Sequence, residues 1–156
     1  IMIKALIIDD EPLARMIVKE YLQQHKDIEL MQECNDGFEG VKAIQQHQPD
    51  LLILDIQMPK INGFEMLELI ENPPSVIFAT AFEEFAIKAF ETHAVDYLLK
   101  PFSKERFIKA LDKWKNTESN VQQTKTHELI DAAASTPQQQ NRIVVKDNGK
   151  IKINTA

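Results

Sequence analysis

Leu51-Leu52-Ile53-Leu54-Asp55 is the most apolar run in the chain, and it ends in a carboxylate. Pro49-Asp50 breaks the pattern ahead of it. A short β-rich run bounded in this way reads as a strand buried on both faces, at the centre of a parallel sheet. Three further runs end on a polar residue too. Ala5-Leu6-Ile7-Ile8 leads into Asp9-Asp10, Val76-Ile77-Phe78-Ala79 into Thr80, and Tyr97-Leu98-Leu99 into Lys100-Pro101. In an open α/β sheet, ligands bind just beyond the carboxyl ends of the strands. Three aspartates, one hydroxyl and one lysine are therefore expected to converge on one spot. That set suits a divalent cation and a phosphoryl group.

Between these runs the apolar spacing turns helical. Leu13, Ala14, Ile17, Val18, Tyr21 and Leu22 share one face behind Pro12, which is tolerated in a first helical turn. The pattern predicts strands over 2–8, 28–34, 51–54, 75–79 and 95–99. It predicts helices from Pro12, over 38–46, over 63–70, over 84–91, and from Ser103 through Ile108, Leu111 and Trp114. Residues 28–34 are more polar and read as an edge strand. Ser103 reads as an N-cap, with Phe102 and Phe107 as a hydrophobic staple around it. Such alternation implies a parallel sheet with right-handed crossovers. The expected fold is α/β, a flavodoxin-like (βα)5 three-layer sandwich with sheet order 2-1-3-4-5. Its switch point lies between the first and third strands, at Asp9, Asp10 and Asp55.

Composition narrows the function classes. The 156 residues hold one ordinary domain and a tail. No apolar run approaches the roughly 18 residues of a membrane span, and no basic-then-apolar leader opens the sequence. A cytoplasmic chain without a membrane partner is expected. The single Cys34 excludes an internal disulfide framework and reads as a small buried strand residue. A net charge of −6 argues against a nucleic-acid surface over the bulk of the chain. His25, His47, His93 and His127 lack ligand spacing and are expected on solvated faces.

From about Asn116 the composition shifts to Gln, Thr, Ser and Asn. Residues 117–141 read as a linker that can extend the last helix at first. Arg142-Ile143-Val144-Val145-Lys146 and Lys150-Ile151-Lys152-Ile153 alternate around Asp147-Asn148-Gly149, a hairpin signal. A lone hairpin is marginal in water, so residues 142–156 read as the front edge of a second, truncated domain.

A hard cation such as Mg²⁺, or Mn²⁺ in its place, takes one or two carboxylates plus phosphate oxygens. Asp10 and Asp55 can supply those carboxylates, with Asp9 behind them or acting through water. Asp55 can also attack phosphorus and form an acyl phosphate. Lys100 offers an ammonium, and Thr80 a hydroxyl, to the phosphoryl oxygens. This is phosphoryl transfer by positioning and electrostatics. Each residue alone has a plainer explanation: Asp9-Asp10 as a helix cap, Thr80 as a strand end, Lys100 as a solvated charge, Tyr97 as a packed aromatic. Their joint register at four strand ends is what points to a site.

Asp9-Asp10, Asp55-Ile56-Gln57-Met58-Pro59 with Gly63, Thr80-Ala81 and Lys100-Pro101 resemble the receiver domain of two-component response regulators, over residues 2–116. The resemblance implies Asp55 as the phosphoacceptor, with Lys100 and Thr80 acting on the phosphoryl group. It implies a metal site of Asp9, Asp10, Asp55 and the backbone carbonyl of Gln57. Thr80 and Tyr97 become the switch residues, and Gln57 and Phe82 hold positions that modulate dephosphorylation. A cis Lys100-Pro101 bond is implied as well. The resemblance implies a sensor histidine kinase as partner. The chain would not be an enzyme beyond self-phosphorylation from small donors and autodephosphorylation.

A finer resemblance follows. Phe78-Ala79-Thr80-Ala81-Phe82, Phe85-Ala86-Ile87-Lys88-Ala89-Phe90 and Asp96-Tyr97-Leu98-Leu99-Lys100-Pro101-Phe102 are similar to receivers joined to LytTR-type DNA-binding domains. The hairpin, with Arg142, Lys146, Lys150 and Lys152 against Asp147, resembles the opening strands of such a domain. The implied function is control of transcription. Phosphorylated receivers would form a homodimer through the fourth helix, fifth strand and fifth helix, and DNA would be met only through the missing C-terminal domain. Phe82, Phe85 and Phe90 are expected partly in the core, or else in that dimer patch. Two other readings stay open. An aspartyl-nucleophile phosphohydrolase usually needs a second acid/base aspartate two residues on, where this chain has Gln57. A phosphorylation-independent interaction module would not need the complete carboxylate set.

Overall fold

Strands that are apolar on both faces need cover on both sides, and alternation supplies it. The computed structural model describes the backbone of residues 2–131 and the side chains of residues 2–118. The order is β1 (Ile3–Ile8), α1 (Pro12–Leu22), β2 (Ile28–Cys34), α2 (Gly37–His47), β3 (Leu51–Leu54), α3 (Gly63–Glu68), β4 (Ser75–Thr80), α4 (Ala86–Glu91), β5 (Asp96–Leu99) and α5 (Lys104–Asp131). The sheet is parallel and ordered β2-β1-β3-β4-β5, the flavodoxin-like arrangement expected from sequence. The first compact unit, Ile1–Lys115, contains this sheet.

Strand alternation sorts the core into two. Ala5, Ile7, Leu51, Ile53, Ile77, Ala79 and Leu98 pack with Val18 and Leu22 of α1 and with Phe107, Ala110, Leu111 and Trp114 of α5. Leu6, Ile8, Leu52, Leu54, Val76 and Phe78 pack with α2, α3 and α4 through Ala43, Ile44, Phe64, Met66 and Ala89. Cys34 is fully buried, and burial pushes its thiol up to about 12, so it is an inert packing group.

Several boundaries differ from the sequence reading. The helix expected over 63–70 ends at Glu68, where Leu69 and Ile70 close a tighter turn by donating to the carbonyls of Met66 and Leu67. The helix expected from 84 begins at Ala86 and has no side-chain cap. Strand β4 runs one residue further, through Thr80. At the start of α5, Ser103 Oγ accepts from the Arg106 N–H at 3.1 Å, and the rings of Phe102 and Phe107 stack with centroids 6.1 Å apart. His25 is half-buried rather than solvated, with its Nε2 enclosed and unpartnered among the described residues. Helix α5 continues to Asp131, into the segment expected to extend the last helix at first. The rest of that linker and the hairpin of residues 142–156 lie outside the described residues. Among the described residues, no helix is long and apolar enough to cross a membrane.

Candidate functional site at the strand ends

Registered strands bring their exits together. Ile8 pairs with Leu54, Leu54 with Phe78, and Thr80 with Leu99. The ladder then continues one residue past the strands. Asp9 N–H donates to the Cys34 carbonyl at 3.0 Å, Asp55 N–H to Ile8 at 2.9 Å, and Lys100 N–H to Thr80 at 2.8 Å. Asp9, Asp55 and Thr80 are the buried polar residues among those described. Burying a carboxylate is costly unless it is partnered, so two of them side by side mark a site rather than a core.

The backbone after Asp55 is held by close approach. Asp55 Oδ1 accepts from the Ile56 N–H at 2.7 Å. Gly63 N–H donates to the Ile56 carbonyl at 2.8 Å. A Cβ on Gly63 would sit 2.5 Å from the Asp55 carbonyl oxygen, so only glycine fits there. Asn62 and Glu65 form a reciprocal capping box that starts α3 at this point.

Lys100 Nζ lies 2.8 Å from Asp9 Oδ2, 2.8 Å from Glu11 Oε1 and 3.4 Å from Asp55 Oδ2. The Lys100-Pro101 bond is cis. Burial raises the Asp55 carboxyl from 3.8 to about 6; the neighbouring Asp9 charge adds to that and Lys100 opposes it. Burial also raises Asp9, against the hydrogen bond from Lys100. Burial pulls the Lys100 ammonium down, but its bonds to Asp9 and Glu11 and the nearby Asp55 charge outweigh that and hold it above its ordinary value. The site is thus acidic, with one ammonium among three carboxylates.

Asp9, Glu11 and Asp55 each offer a carboxylate oxygen, all within 4.8 Å of one another. The two buried carboxylates of this group, Asp9 and Asp55, are the all-oxygen donors that fit a hard divalent cation, whereas the Glu11 carboxylate is engaged by Lys100. Asp10 is not in this group and sits half-buried beside it. Glu11 is in the group, though it is not among the residues expected from sequence. The signal for it was the third acid of the Asp9-Asp10-Glu11 run. Gln57 is exposed. Thr80 Oγ1 accepts from the Phe82 N–H at 3.3 Å, and the Tyr97 hydroxyl donates to the Phe82 carbonyl. Burial lifts the Tyr97 phenol above its usual value, which keeps it a donor. Phe82 is 40% exposed and stacks edge-to-face on Phe85, with centroids 6.2 Å apart. Phe85 in turn packs toward Phe64, whereas Phe90 is 75% exposed, so the aromatic cluster splits between core and surface.

The profile of the response regulator receiver domain matches residues 5–112. The chain belongs to the response regulator receiver family. This receiver is 53% identical over 112 residues to the transcriptional regulatory protein BtsR of Escherichia coli K12, covering 70% of this chain and 47% of BtsR. It is 40% identical over 131 residues to the sensory transduction protein LytT of Bacillus cereus, covering 82% of this chain and 53% of LytT. The chain therefore spans about half the length of these curated relatives. Among solved structures, it resembles the receiver domain of AraT, a response regulator from Geobacillus stearothermophilus. That match has a TM-score of 0.71 and 29% identity over 78% of this chain and 99% of the other. It also resembles the response regulator TrrA from Thermotoga maritima, solved in complex with Mg²⁺ and BeF, with a TM-score of 0.64 and 30% identity over 72% and 98%.

Proposed function

We propose that this receiver is the phosphorylation switch of a cytoplasmic two-component transcriptional regulator. The observation that carries the reading is Asp55, buried at the end of β3 beside Asp9 and within reach of Lys100. In the proposed step, a carboxylate oxygen of Asp55 bonds to phosphorus while the P–N bond to a histidine of a sensor kinase breaks. The electron pair leaves on the imidazole nitrogen, which takes up a proton. From a small donor such as acetyl phosphate, a P–O bond breaks and acetate leaves. Asp9, Asp10, Asp55 and the Gln57 carbonyl would hold Mg²⁺ or Mn²⁺, which would neutralise charge against the incoming phosphoryl group. Lys100 gains a phosphoryl oxygen as partner, and Thr80 turns its hydroxyl from the Phe82 N–H toward that group. Tyr97 then moves into the space beside Thr80. Such a change biases a pre-existing two-state equilibrium.

The output in this reading is a homodimer through α4, β5 and α5. Ile87, Phe90 and Leu99, at 76%, 75% and 41% exposure, lie on those elements and favour it. Residues 117–141 serve as linker, and residues 142–156 begin a LytTR-type DNA-binding domain. The name of BtsR and the partial coverage of it and of LytT support that arrangement. In this reading Gln57, which is exposed, and Phe82, which is 40% exposed, modulate how fast water removes the phosphoryl group. Steady turnover is not expected, since Gln57 cannot act as a second acid/base carboxylate.

The test is intact mass spectrometry after incubation with acetyl phosphate. A gain of one phosphoryl group that requires Mg²⁺ and vanishes in Asp55→Asn is the expected result. Undiminished phosphorylation of Asp55→Asn overturns the assignment. Continuous phosphate release from small phosphoesters would instead support the hydrolase reading.

A further inference from the structure

We infer that Glu11 is a positioning residue for Lys100, keeping the ammonium at the rim of the site once the buried carboxylates are otherwise engaged. The inference rests on the phosphoacceptor reading of Asp55. Lys100 has three carboxylate partners of unequal kind. Asp9 and Asp55 are 6% exposed at the side chain, whereas Glu11 is 61% exposed. A divalent cation held by Asp9 and Asp55 would compete with the Lys100 ammonium for those carboxylates, because like charges at such range repel strongly in a buried setting. Lys100 must then release both buried oxygens. Glu11 is the partner it can keep, and it keeps Nζ beside Asp55 rather than out in solvent.

Glu11 is built for that task in a way its place in the chain does not require. It stands at the N-cap of α1, with φ −97° and ψ 115°, yet its side chain makes no capping hydrogen bond. Its own N–H is taken by Asp9 Oδ1 at 2.9 Å, and its carbonyl accepts from Arg15 at 3.1 Å. Pro12 follows at the first helical position and fixes the exit of the turn. The backbone of Glu11 is thus pinned on both sides, and its carboxylate is directed out of its own helix onto Lys100, 89 residues away. An exposed glutamate at a helix start ordinarily caps or hydrates. Here it crosses to Lys100, one residue past β5.

Four proteins separate this role from its rivals: the unaltered chain, Glu11→Gln, Lys100→Met and the double variant. Lys100→Gln replaces Lys100→Met if the latter does not melt cooperatively. Two quantities are read, the Mg²⁺ Kd by calorimetry without phosphodonor, and the rate of phosphorylation by acetyl phosphate at saturating Mg²⁺. Glu11→Gln is expected to slow phosphorylation by about three- to tenfold when Lys100 is present and not at all when it is absent. Its Mg²⁺ Kd is expected to stay within about threefold of the unaltered value. Equal slowing with and without Lys100, or no slowing in either, overturns the inference. So does a weakening of Mg²⁺ binding by about tenfold or more in both backgrounds, which would make Glu11 a metal ligand instead. An unaltered chain that neither binds Mg²⁺ nor takes up phosphoryl would overturn the phosphoacceptor reading itself, and this inference with it.

Discussion

Asp55 is a buried acid whose charged form the fold disfavours, and two measurable pH effects follow. Its carboxyl is raised from 3.8 to about 6 in the folded state. The folded protein therefore binds the proton that the unfolded chain releases, and this contributes stability below the unfolded value. That contribution is fully present below about pH 4 and is lost as pH rises through about 6. In the metal-free protein, Asp55→Asn removes the loss. Its melting temperature is expected to exceed that of the unaltered chain by about 5 °C at pH 7.5, and the gap to close as pH falls through 6 to 4. The same proton competes with a cation. Mg²⁺ affinity, read by calorimetry, is expected to fall by up to about tenfold per pH unit below 6. Lys100 competes as well, since its Nζ sits on Asp9 and Asp55. Lys100→Met should tighten Mg²⁺ binding by about three- to tenfold while slowing phosphorylation.

Among the elements, α4 is the least anchored. Ala89 is its one buried residue. The segment is otherwise held by Lys88 over the Phe64 ring at 4.7 Å and, just ahead of it, by Phe85 and the Tyr97 bond to the Phe82 carbonyl. Few buried contacts make a segment cheap to move. Ile87→Asp and Phe90→Asp alter side chains that are 76% and 75% exposed, so each should change urea stability by no more than about 0.5 kcal/mol. Under the proposed function both should block dimerisation of the phosphorylated chain, read by light scattering, with phosphorylation intact. The start of α3 is the opposite case. Gly63→Ala places a methyl 2.5 Å from the Asp55 carbonyl oxygen, and a cost of about 2 kcal/mol or more is expected, with slower phosphorylation.

Across the sheet-bearing unit, the described core residues fall into two layers, one on each face of the sheet, and the site lies along the edge where strands carrying both terminate. Phe107 of α5 is fully buried in the core layer that also holds residues of β1, β3, β4 and β5. Phe107→Ala is expected to cost about 3–5 kcal/mol in urea unfolding, because a large cavity would open in a packed layer. Parallel order is what makes the site possible. All five strands point the same way, so every strand exit meets at one rim.

Strand identity, sheet class and the meeting of Asp9, Asp55 and Lys100 are readable in the sequence alone. Each rests on a local pattern: apolar runs fix which residues are strand, and the residue after each run is fixed by counting. Helix ends were less readable. Leu69 and Ile70 fit a helical face, but the chain leaves the helix at Glu68, and these two residues close a tighter turn onto the Met66 and Leu67 carbonyls. The third acid facing Lys100 was not readable at all. Asp9-Asp10-Glu11 offers three carboxylates in a row, and spacing cannot say which turns inward. That was decided by the backbone angles at Glu11, by the Asp9 side chain holding the Glu11 N–H, and by a lysine delivered one residue past β5. Periodicity is a property of neighbours in sequence and survives without a fold. The direction of one side chain at a strand exit depends on partners brought from 89 residues away, and only the tertiary structure supplies them.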